Sequence, residues 1–156
     1  MPRLATIGAY GFTAQEFLAT LLEAEVTVLL DVRQRRGLRG TEYAWANAKR
    51  LQAALAETAI EYRHLPELAP TTELRQLQYA ADDLNGVGKR SRDVLAPEYV
   101  ERYEREILAG APLPELPQRG LAALFCVERD PEACHRSLIA DAIAGQDVLH
   151  LRPPAT

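Results

Sequence analysis

The stretch VTVLLDVR, residues 26–33, is rich in β-branched side chains and almost continuously apolar. An apolar run without polar alternation is typical of a strand in a parallel sheet, where helices cover both faces. Four further stretches are predicted to be strands: residues 4–10, 60–65, 121–127 and 147–151. The chain therefore offers five strands for one sheet.

Helical segments separate these strands. Thr13 and Glu16 have the spacing of a capping box, and Phe12 precedes the cap where it can pack on Phe17. Helices are also predicted within residues 42–58, 71–84, 97–110 and 130–145. Strands that alternate with helices predict a single α/β domain over residues 1–156. We expect a Rossmann-like fold, with a mostly parallel five-stranded sheet and helices on both faces.

The composition is that of an ordinary soluble domain, with 47% hydrophobic and 26% charged residues among 156. No apolar run approaches the ~20 residues that a membrane span needs. The stretch MPRLATIGAYGF lacks the long apolar region and cleavage pattern of a secretory signal. Two cysteines do not predict a disulfide scaffold. We therefore expect a cytoplasmic protein without a membrane partner.

The positive charges are arginines apart from Lys49 and Lys89, and they cluster along the chain. The first basic cluster comprises Arg33, Arg35, Arg36 and Arg39, and the second basic cluster comprises Lys89, Arg90 and Arg92. The planar guanidinium group suits two-pronged recognition of phosphate or carboxylate. A net charge of −4 argues against indiscriminate nucleic-acid binding. For either cluster alone, a solvated charged face is the simpler explanation.

Polar and reactive residues collect where the predicted strands end. Ligands of parallel α/β sheets bind beyond the carboxyl ends of the strands. The residues at these ends are Gly8, Tyr10, Asp31, Arg33, His64, Glu67, Cys126, Glu128 and Arg129. We therefore expect the functional site at this edge of the sheet.

Four segments, TIGAYGFTAQEFL, LLDVRQRRGLRG, IEYRHLPELAP and LFCVERDPEACHRSLIA, together resemble the domain of unknown function 488 family. They span about residues 5–141, and the last segment is the most specific. The resemblance implies a compact bacterial or archaeal α/β domain and supplies no activity. Family members commonly have a histidine after the first-strand glycine, where this chain has Ala9. The resemblance implies that any chemistry of that histidine is missing here.

The segment CVERDPEACHRSL, residues 126–138, joins a strand end to a predicted helix. Asp130, followed by proline, has the pattern of an N-cap and a first helical residue. Helical spacing then turns Cys134 and His135 inward. A backbone carbonyl or Asp31 is the expected hydrogen-bond partner of the His135 ring.

Thiol and zinc chemistry are both disfavoured by spacing. A phosphatase-type cysteine needs an arginine six residues later, but Glu132 follows Cys126 at that distance. A buried, unreactive thiol is the favoured interpretation. A zinc site from Cys126, Cys134, His135 and His64 would be unusual, because structural zinc ligands come in pairs two to four residues apart. Here the cysteines are eight apart, and the adjacent cysteine and histidine point differently on a helix. We predict no metal and no cofactor.

The pattern favours recognition of a phosphate-bearing, nucleotide-like or nucleic-acid ligand, with hydrolysis or group transfer as the associated chemistry. The residues predicted to bind it are Arg33, Arg36, Arg39, His64, Arg136 and Ser137. Those predicted to transfer protons are Asp31, Glu128 and His135, with Cys126 as a less favoured nucleophile. The alternative is a non-catalytic module that binds a ligand or a partner.

The same residues also allow a purely structural network, since ion-pair networks resemble active sites. In that network Asp31 pairs with Arg33 or Arg136. Arg136 pairs alternatively with Glu128 or Asp141. None of these features predicts the oligomeric state.

Overall fold

Five short segments pair into one sheet in which every strand runs parallel to its neighbours. They are β1 (Leu4–Gly8), β2 (Val26–Asp31), β3 (Glu61–His64), β4 (Leu121–Cys126) and β5 (Val148–Leu151), in the spatial order β3-β2-β4-β1-β5. All residues of β1 and β4 are buried, whereas the edge strands β3 and β5 are partly exposed. The predicted five-stranded parallel sheet is confirmed.

Five helices connect the strands in the computed structural model, which describes residues 2–145 and 147–154. They are α1 (Ala14–Glu23), α2 (Ala48–Ala56), α3 (Thr72–Leu84), α4 (Pro97–Tyr103) and α5 (Arg136–Ala144). A π-helical turn, Glu104–Leu108, extends α4, and short 3-10 turns lie at Ala44–Ala46, Pro66–Leu68 and Pro131–Ala133. None of the helices in the described ranges has the length and apolarity needed to cross a membrane. The described residues form one α/β domain, and its predicted limits at residues 1 and 156 lie outside them.

The order of the strands creates a crevice at the carboxyl edge of the sheet. The chain moves from β1 through β2 to β3 in one direction, then returns to β4 and β5 in the other. Since crossover connections are almost always right-handed, α1 and α2 cover one face, and α3, α4 and α5 cover the other. The loops after β1 and β2 therefore leave toward one face and the loop after β4 toward the opposite face. Parallel α/β sheets bind their ligands at such a switch point.

The first helix begins at a complete capping box, as predicted. The Thr13 hydroxyl accepts a hydrogen bond from the Glu16 amide (3.2 Å), and the Glu16 carboxylate accepts one from the Thr13 amide (2.9 Å). Phe12 and Phe17 meet edge to face with their ring centroids 5.6 Å apart. Residues close in sequence therefore define the start of α1.

We expect Thr13→Ala to lower the free energy of unfolding by about 1 kcal/mol, because the amide at the helix start loses its side-chain acceptor. Urea unfolding followed by circular dichroism measures the change. Thr20→Ala is the matched control, since Thr20 lies inside α1, where alanine is the better helix former. Equal losses in the two variants would contradict the capping role.

The last helix begins later than the sequence predicts. The Asp130 side chain makes no cap hydrogen bond, Pro131–Ala133 form only a 3-10 turn, and α5 starts at Arg136. Between the turn and the helix, Cys134 is extended, with φ −139° and ψ 145°. The predicted continuous helix over residues 130–145, with Asp130 as its N-cap, is therefore wrong.

A buried arginine from a distant loop helps to explain this break. Arg92 Nη1 donates to the Ala133 carbonyl (3.1 Å). In a continuous helix, the Ala133 carbonyl would instead accept from a backbone amide four residues later. Sequence periodicity cannot reveal that a side chain replaces the helical amide at this carbonyl, because Arg92 reaches the segment from a distant loop.

Candidate functional site

A cleft of about 300 Å³ lies at the carboxyl edge of the sheet, beside the ends of β1, β4 and β2. Its floor comes from the end of β4 and the segment that precedes α5. Its walls come from the loop after β2, from α3 and from the loop that follows α3. The cleft therefore occupies the switch point of the sheet, where the sequence collects its polar strand ends.

Basic side chains from both clusters line this cleft. Arg35 and Arg39 come from the first basic cluster, Lys89 and Arg90 from the second, and Arg75 of α3 joins them. Across residues 2–145 and 147–154, no carboxylate oxygen lies within 4 Å of the cationic groups of Arg35, Arg39 or Lys89. These three side chains therefore bring uncompensated positive charge to one cavity.

Tyrosine rings contact Arg75 and Arg90, the other two of these five basic residues. The Arg90 guanidinium lies 4.9 Å from the centroid of the Tyr10 ring, and that of Arg75 lies 5.6 Å from the centroid of Tyr79. Arg75 also donates to the Tyr79 hydroxyl (3.0 Å). These cation–π contacts hold both guanidinium groups in place. Arg90 also pairs with Glu42 at 3.7 Å, but both side chains are exposed, so this pair balances its charge only weakly.

Two further arginines at the cleft are neutralised by buried acids. Arg92 bonds to Asp82 (2.8 Å) and to Glu128 (3.2 Å), and so ties α3 to the end of β4. Arg33 bonds to Asp31 through Nε (2.9 Å) and through Nη2 (2.8 Å). Since these charges are balanced inside the protein, Arg33 and Arg92 primarily shape the walls.

Asp31 is fully buried at the end of β2 and is engaged at both oxygens. Oδ1 accepts from the Arg33 amide and Nε, and Oδ2 accepts from Arg33 Nη2 and from the Tyr62 hydroxyl (2.6 Å). The expected pairing of Asp31 with Arg33 is confirmed. Burial and the bond to Asp31 raise the pKa of Tyr62. The carboxylate is thus held inside the protein and does not line the cleft.

The floor of the cleft brings together Cys126, Glu128, Cys134 and His135. The His135 Nε2–H group donates to the Val32 carbonyl (2.8 Å), which confirms a backbone carbonyl as its expected partner. This bond turns Nδ1 toward both sulfurs, 3.7 Å from Cys134 Sγ and 3.9 Å from Cys126 Sγ. Two thiols and one imidazole nitrogen therefore converge on one point.

The two thiols differ in acidity because each acts on the other. A hydrogen bond to Cys134, together with burial, raises the pKa of Cys126 well above its usual range. Burial by itself raises the pKa of Cys134 as well. The bond from Cys126 and the positive charges of His135 and Arg136 outweigh this effect and lower the Cys134 pKa well below its usual range. Of the two thiols, Cys134 therefore gives up its proton more readily.

The charge on Cys134 also affects its polar neighbours. Burial alone lowers the pKa of His135, but the negative charge of Cys134 and the bond to the Val32 carbonyl outweigh it and raise that pKa. Burial and the Cys134 charge both raise the pKa of Glu128 above its usual range. The floor therefore groups an acidified thiol, an imidazole and a carboxyl group that holds its proton more firmly than usual.

Comparison with known proteins gives one match. A family model described as domain of unknown function DUF488 matches residues 13–143. The chain belongs to the DUF488 family. No curated protein and no solved structure matches it. In this DUF488 domain the matched region contains all four polar residues of the cleft floor.

Five of the residues predicted for the site line the cleft of the DUF488 domain: Arg33, Arg39, Cys126, Glu128 and His135. Asp31, Arg36 and His64 lie nearby but outside its lining. Arg36 donates to the Tyr62 hydroxyl (3.3 Å), and the His64 ring bonds to the Arg33 carbonyl (2.9 Å). Their roles in ligand binding stay predictions.

Arg136 and Ser137 donate hydrogen bonds to backbone carbonyls around the floor of the cleft. Arg136 is fully buried and donates to the Glu128 carbonyl (2.7 Å) and the Arg129 carbonyl (3.1 Å). The expected pairing of Arg136 with a carboxylate, from Glu128 or Asp141, is wrong. Ser137 donates to the Cys134 carbonyl (2.9 Å). Ser137 therefore bonds to the extended residue that separates the turn from α5, whereas Arg136 joins α5 to the residues that follow β4.

Several cleft residues of the DUF488 domain are absent from the sequence-based site, notably Arg75, Tyr79 and Lys89. Arg75 and Tyr79 lie one helical turn apart on α3. Their spacing does not show that they face the cleft until the position of α3 in the fold is known. Lys89 could have been included from the sequence, because it belongs to the second basic cluster. What the sequence does not show is that both clusters face the same cavity.

Proposed function

We propose that the cleft binds a phosphate-bearing, nucleotide-like ligand. The observation that supports this proposal is the convergence of Arg35, Arg39 and Lys89, three cations without a carboxylate partner among the described residues, on one cavity. A solvated charged face explains either basic cluster alone, but it does not explain why both line one concave surface. Arginine forks and a lysine together match the several oxygens of a phosphate group.

The size and walls of the cleft favour a small ligand. Its volume of about 300 Å³ is at the lower end of cavities that enclose small molecules. Tyr10 and Tyr79 add aromatic surface to the walls, each beside one of the arginines of the cleft. A duplex nucleic acid needs a broad basic surface, whereas the chain has a net charge of −4. A nucleotide or a phosphorylated metabolite is therefore the better match.

The floor favours chemistry on the bound ligand over passive binding. Glu128 and His135 line the same cavity as the cations, so both can reach a ligand held there. Asp31 is less suited to proton transfer, because Arg33 and Tyr62 engage both of its oxygens. Hydrolysis or group transfer by Glu128 and His135 is the second candidate function. The alternative remains a module that binds the same ligand without turnover.

The binding proposal is tested by calorimetric titration with nucleoside mono-, di- and triphosphates and with inorganic phosphate. We expect binding of at least one of these ligands and a loss of about tenfold or more in affinity, equivalent to about 1.4 kcal/mol, in the double variant Arg35→Glu/Arg39→Glu. The matched control is Arg50→Glu/Arg119→Glu, which makes the same charge change at two exposed arginines outside the cleft.

Equal losses in the cleft variant and the control would point to nonspecific charge attraction. No response to any phosphate compound would overturn the proposal and favour a protein partner. Tighter binding of an oligonucleotide than of any nucleotide, with a steep salt dependence, would reassign the cleft to nucleic acid. Product analysis of each ligand that binds then separates turnover from binding alone.

A further inference from the structure

We propose that Cys126, Cys134 and His135 form a zinc site at the floor of the cleft. One sulfur from each cysteine and Nδ1 of the histidine all lie within 4.8 Å of one another. Thiolate and imidazole are the ligands that Zn²⁺ prefers in proteins. This inference goes beyond anion binding, since the three side chains can hold a metal ion whether or not the cations bind a ligand. With Nδ1 on the ion and Nε2–H bonded to the Val32 carbonyl, His135 would not transfer protons, and that proposed role would fall to Glu128.

The distances within this cluster match those around a shared ion. Zinc–sulfur bonds of ~2.3 Å and zinc–nitrogen bonds of ~2.0–2.1 Å place tetrahedral ligand atoms roughly 3.5–3.8 Å apart. The separations between His135 Nδ1 and the two sulfurs are 3.7 Å and 3.9 Å. The imidazole nitrogen therefore needs to move by only a few tenths of an ångström relative to either sulfur. The two sulfurs lie within 4.8 Å of each other, so they need to approach by about 1 Å at most.

The orientation of the histidine is fixed from outside the cluster. His135 Nε2–H donates to the Val32 carbonyl at 2.8 Å, at the end of β2. A hydrogen bond at the distal nitrogen is the usual support of a metal-binding histidine, because it sets the tautomer and aims the other nitrogen at the ion. The Tyr103 ring packs against the imidazole, with centroids 5.5 Å apart, and restricts its rotation further.

Charge balance also favours a divalent ion here. All three side chains are buried, with Cys126 6%, Cys134 1% and His135 4% exposed. Two thiolates, one neutral imidazole and Zn²⁺ sum to zero charge, which is the arrangement that burial tolerates best. The cluster nevertheless lines the cleft, so an ion has a route of entry.

The conformation of Cys134 answers the objection that the adjacent Cys134 and His135 would point in different directions on a helix. Adjacent residues of a helix point in different directions, but Cys134 is extended and α5 begins only after His135. Both side chains therefore turn toward Cys126 at the end of β4. Three protein ligands are the number found in zinc sites that keep a fourth position for water or substrate. Because all three residues line the cleft, we expect the fourth position to open toward it.

Titration of reduced, metal-free protein with Co²⁺ tests the site, because thiolate-to-cobalt charge transfer reports sulfur ligands directly. We expect one Co²⁺ per chain with charge-transfer absorption, and its displacement by Zn²⁺. Cys126→Ser, Cys134→Ser and His135→Gln are each expected to lose about tenfold or more in metal affinity. The matched control His150→Gln should bind as the unmodified chain does, since His150 is an exposed histidine on β5 that lies outside the cluster.

Circular dichroism of each metal-free variant shows whether it is folded. The cobalt spectrum of the unmodified chain tests the site without any variant. Absence of charge-transfer absorption in the reduced unmodified chain would overturn the zinc site. Binding that survives in all three folded variants would overturn it as well. Zinc that raises the melting temperature of the unmodified chain and of His150→Gln, but not of His135→Gln, would support it.

Discussion

Replacement of Asp31 by alanine is expected to lower the free energy of unfolding by about 3–5 kcal/mol. The Asp31 carboxylate is fully buried and accepts two hydrogen bonds from the Arg33 guanidinium, which is 2% exposed. Without the acid, the guanidinium stays buried with an uncompensated charge, and the Tyr62 hydroxyl loses its acceptor. Urea unfolding at neutral pH, followed by circular dichroism, measures the change.

Glu61→Ala is the matched control, because it also removes one acid from an arginine pair. Glu61 and Arg63 form a two-bond pair at 3.0 Å, but their side chains are 56% and 52% exposed. The expected change is below about 1 kcal/mol. The double variant Asp31→Ala/Arg33→Leu should recover part of the loss, since it removes the buried charge together with its partner. Equal effects of Asp31→Ala and Glu61→Ala would refute the buried pair as a determinant of stability.

Substitution of Gly8 by alanine is expected to destabilise the fold by about 3 kcal/mol. A methyl group at this position would lie 1.9 Å from the Glu128 carbonyl oxygen and 2.8 Å from its carbonyl carbon. Both are backbone atoms, so the conflict cannot be relieved by rotating a side chain. The end of β1 would have to separate from the residues that follow β4, at the floor of the cleft.

Gly110→Ala is the control for Gly8→Ala, because no atom lies within 4 Å of a methyl group built at Gly110. We expect a change within about 0.5 kcal/mol. Thermal unfolding of both variants measures the difference, and metal titration of Gly8→Ala measures the effect on the floor. If both glycines tolerate alanine equally, the close approach of β1 to Glu128 does not constrain the fold.

The elements of this fold are predictable from sequence because their signals are local. The apolar run that ends at Asp31 indicates a covered strand, and Thr13 with Glu16 marks the start of α1. The spatial order of the strands has no such signal, since β4 pairs with β1 and β2 through residues far away in sequence. The location of the cleft still follows, because any parallel sheet collects its strand ends at one edge.

The details of the site could not be predicted, and the reason is physical. Helix signals in DPEACHRS predict one continuous helix, but Arg92 bonds to the Ala133 carbonyl, which a helical amide would otherwise use. The break in the helix lets Cys134 and His135 turn to the same point. A buried guanidinium group that bonds to a distant backbone carbonyl leaves no periodic trace in a sequence. The sequence therefore offers these residues only as an unusual set of zinc ligands, and the fold shows that they converge.

The central position of β4 has a consequence for how the chain folds. β4 is fourth in sequence but lies between β1 and β2, which do not pair with each other. The sheet cannot grow outward from the amino terminus, because its middle strand is synthesised after three of the others. Such long-range pairing slows folding relative to helical proteins of similar size. On the ribosome, the sheet centre and the residues that carry Cys126 and Cys134 would come together in one late step.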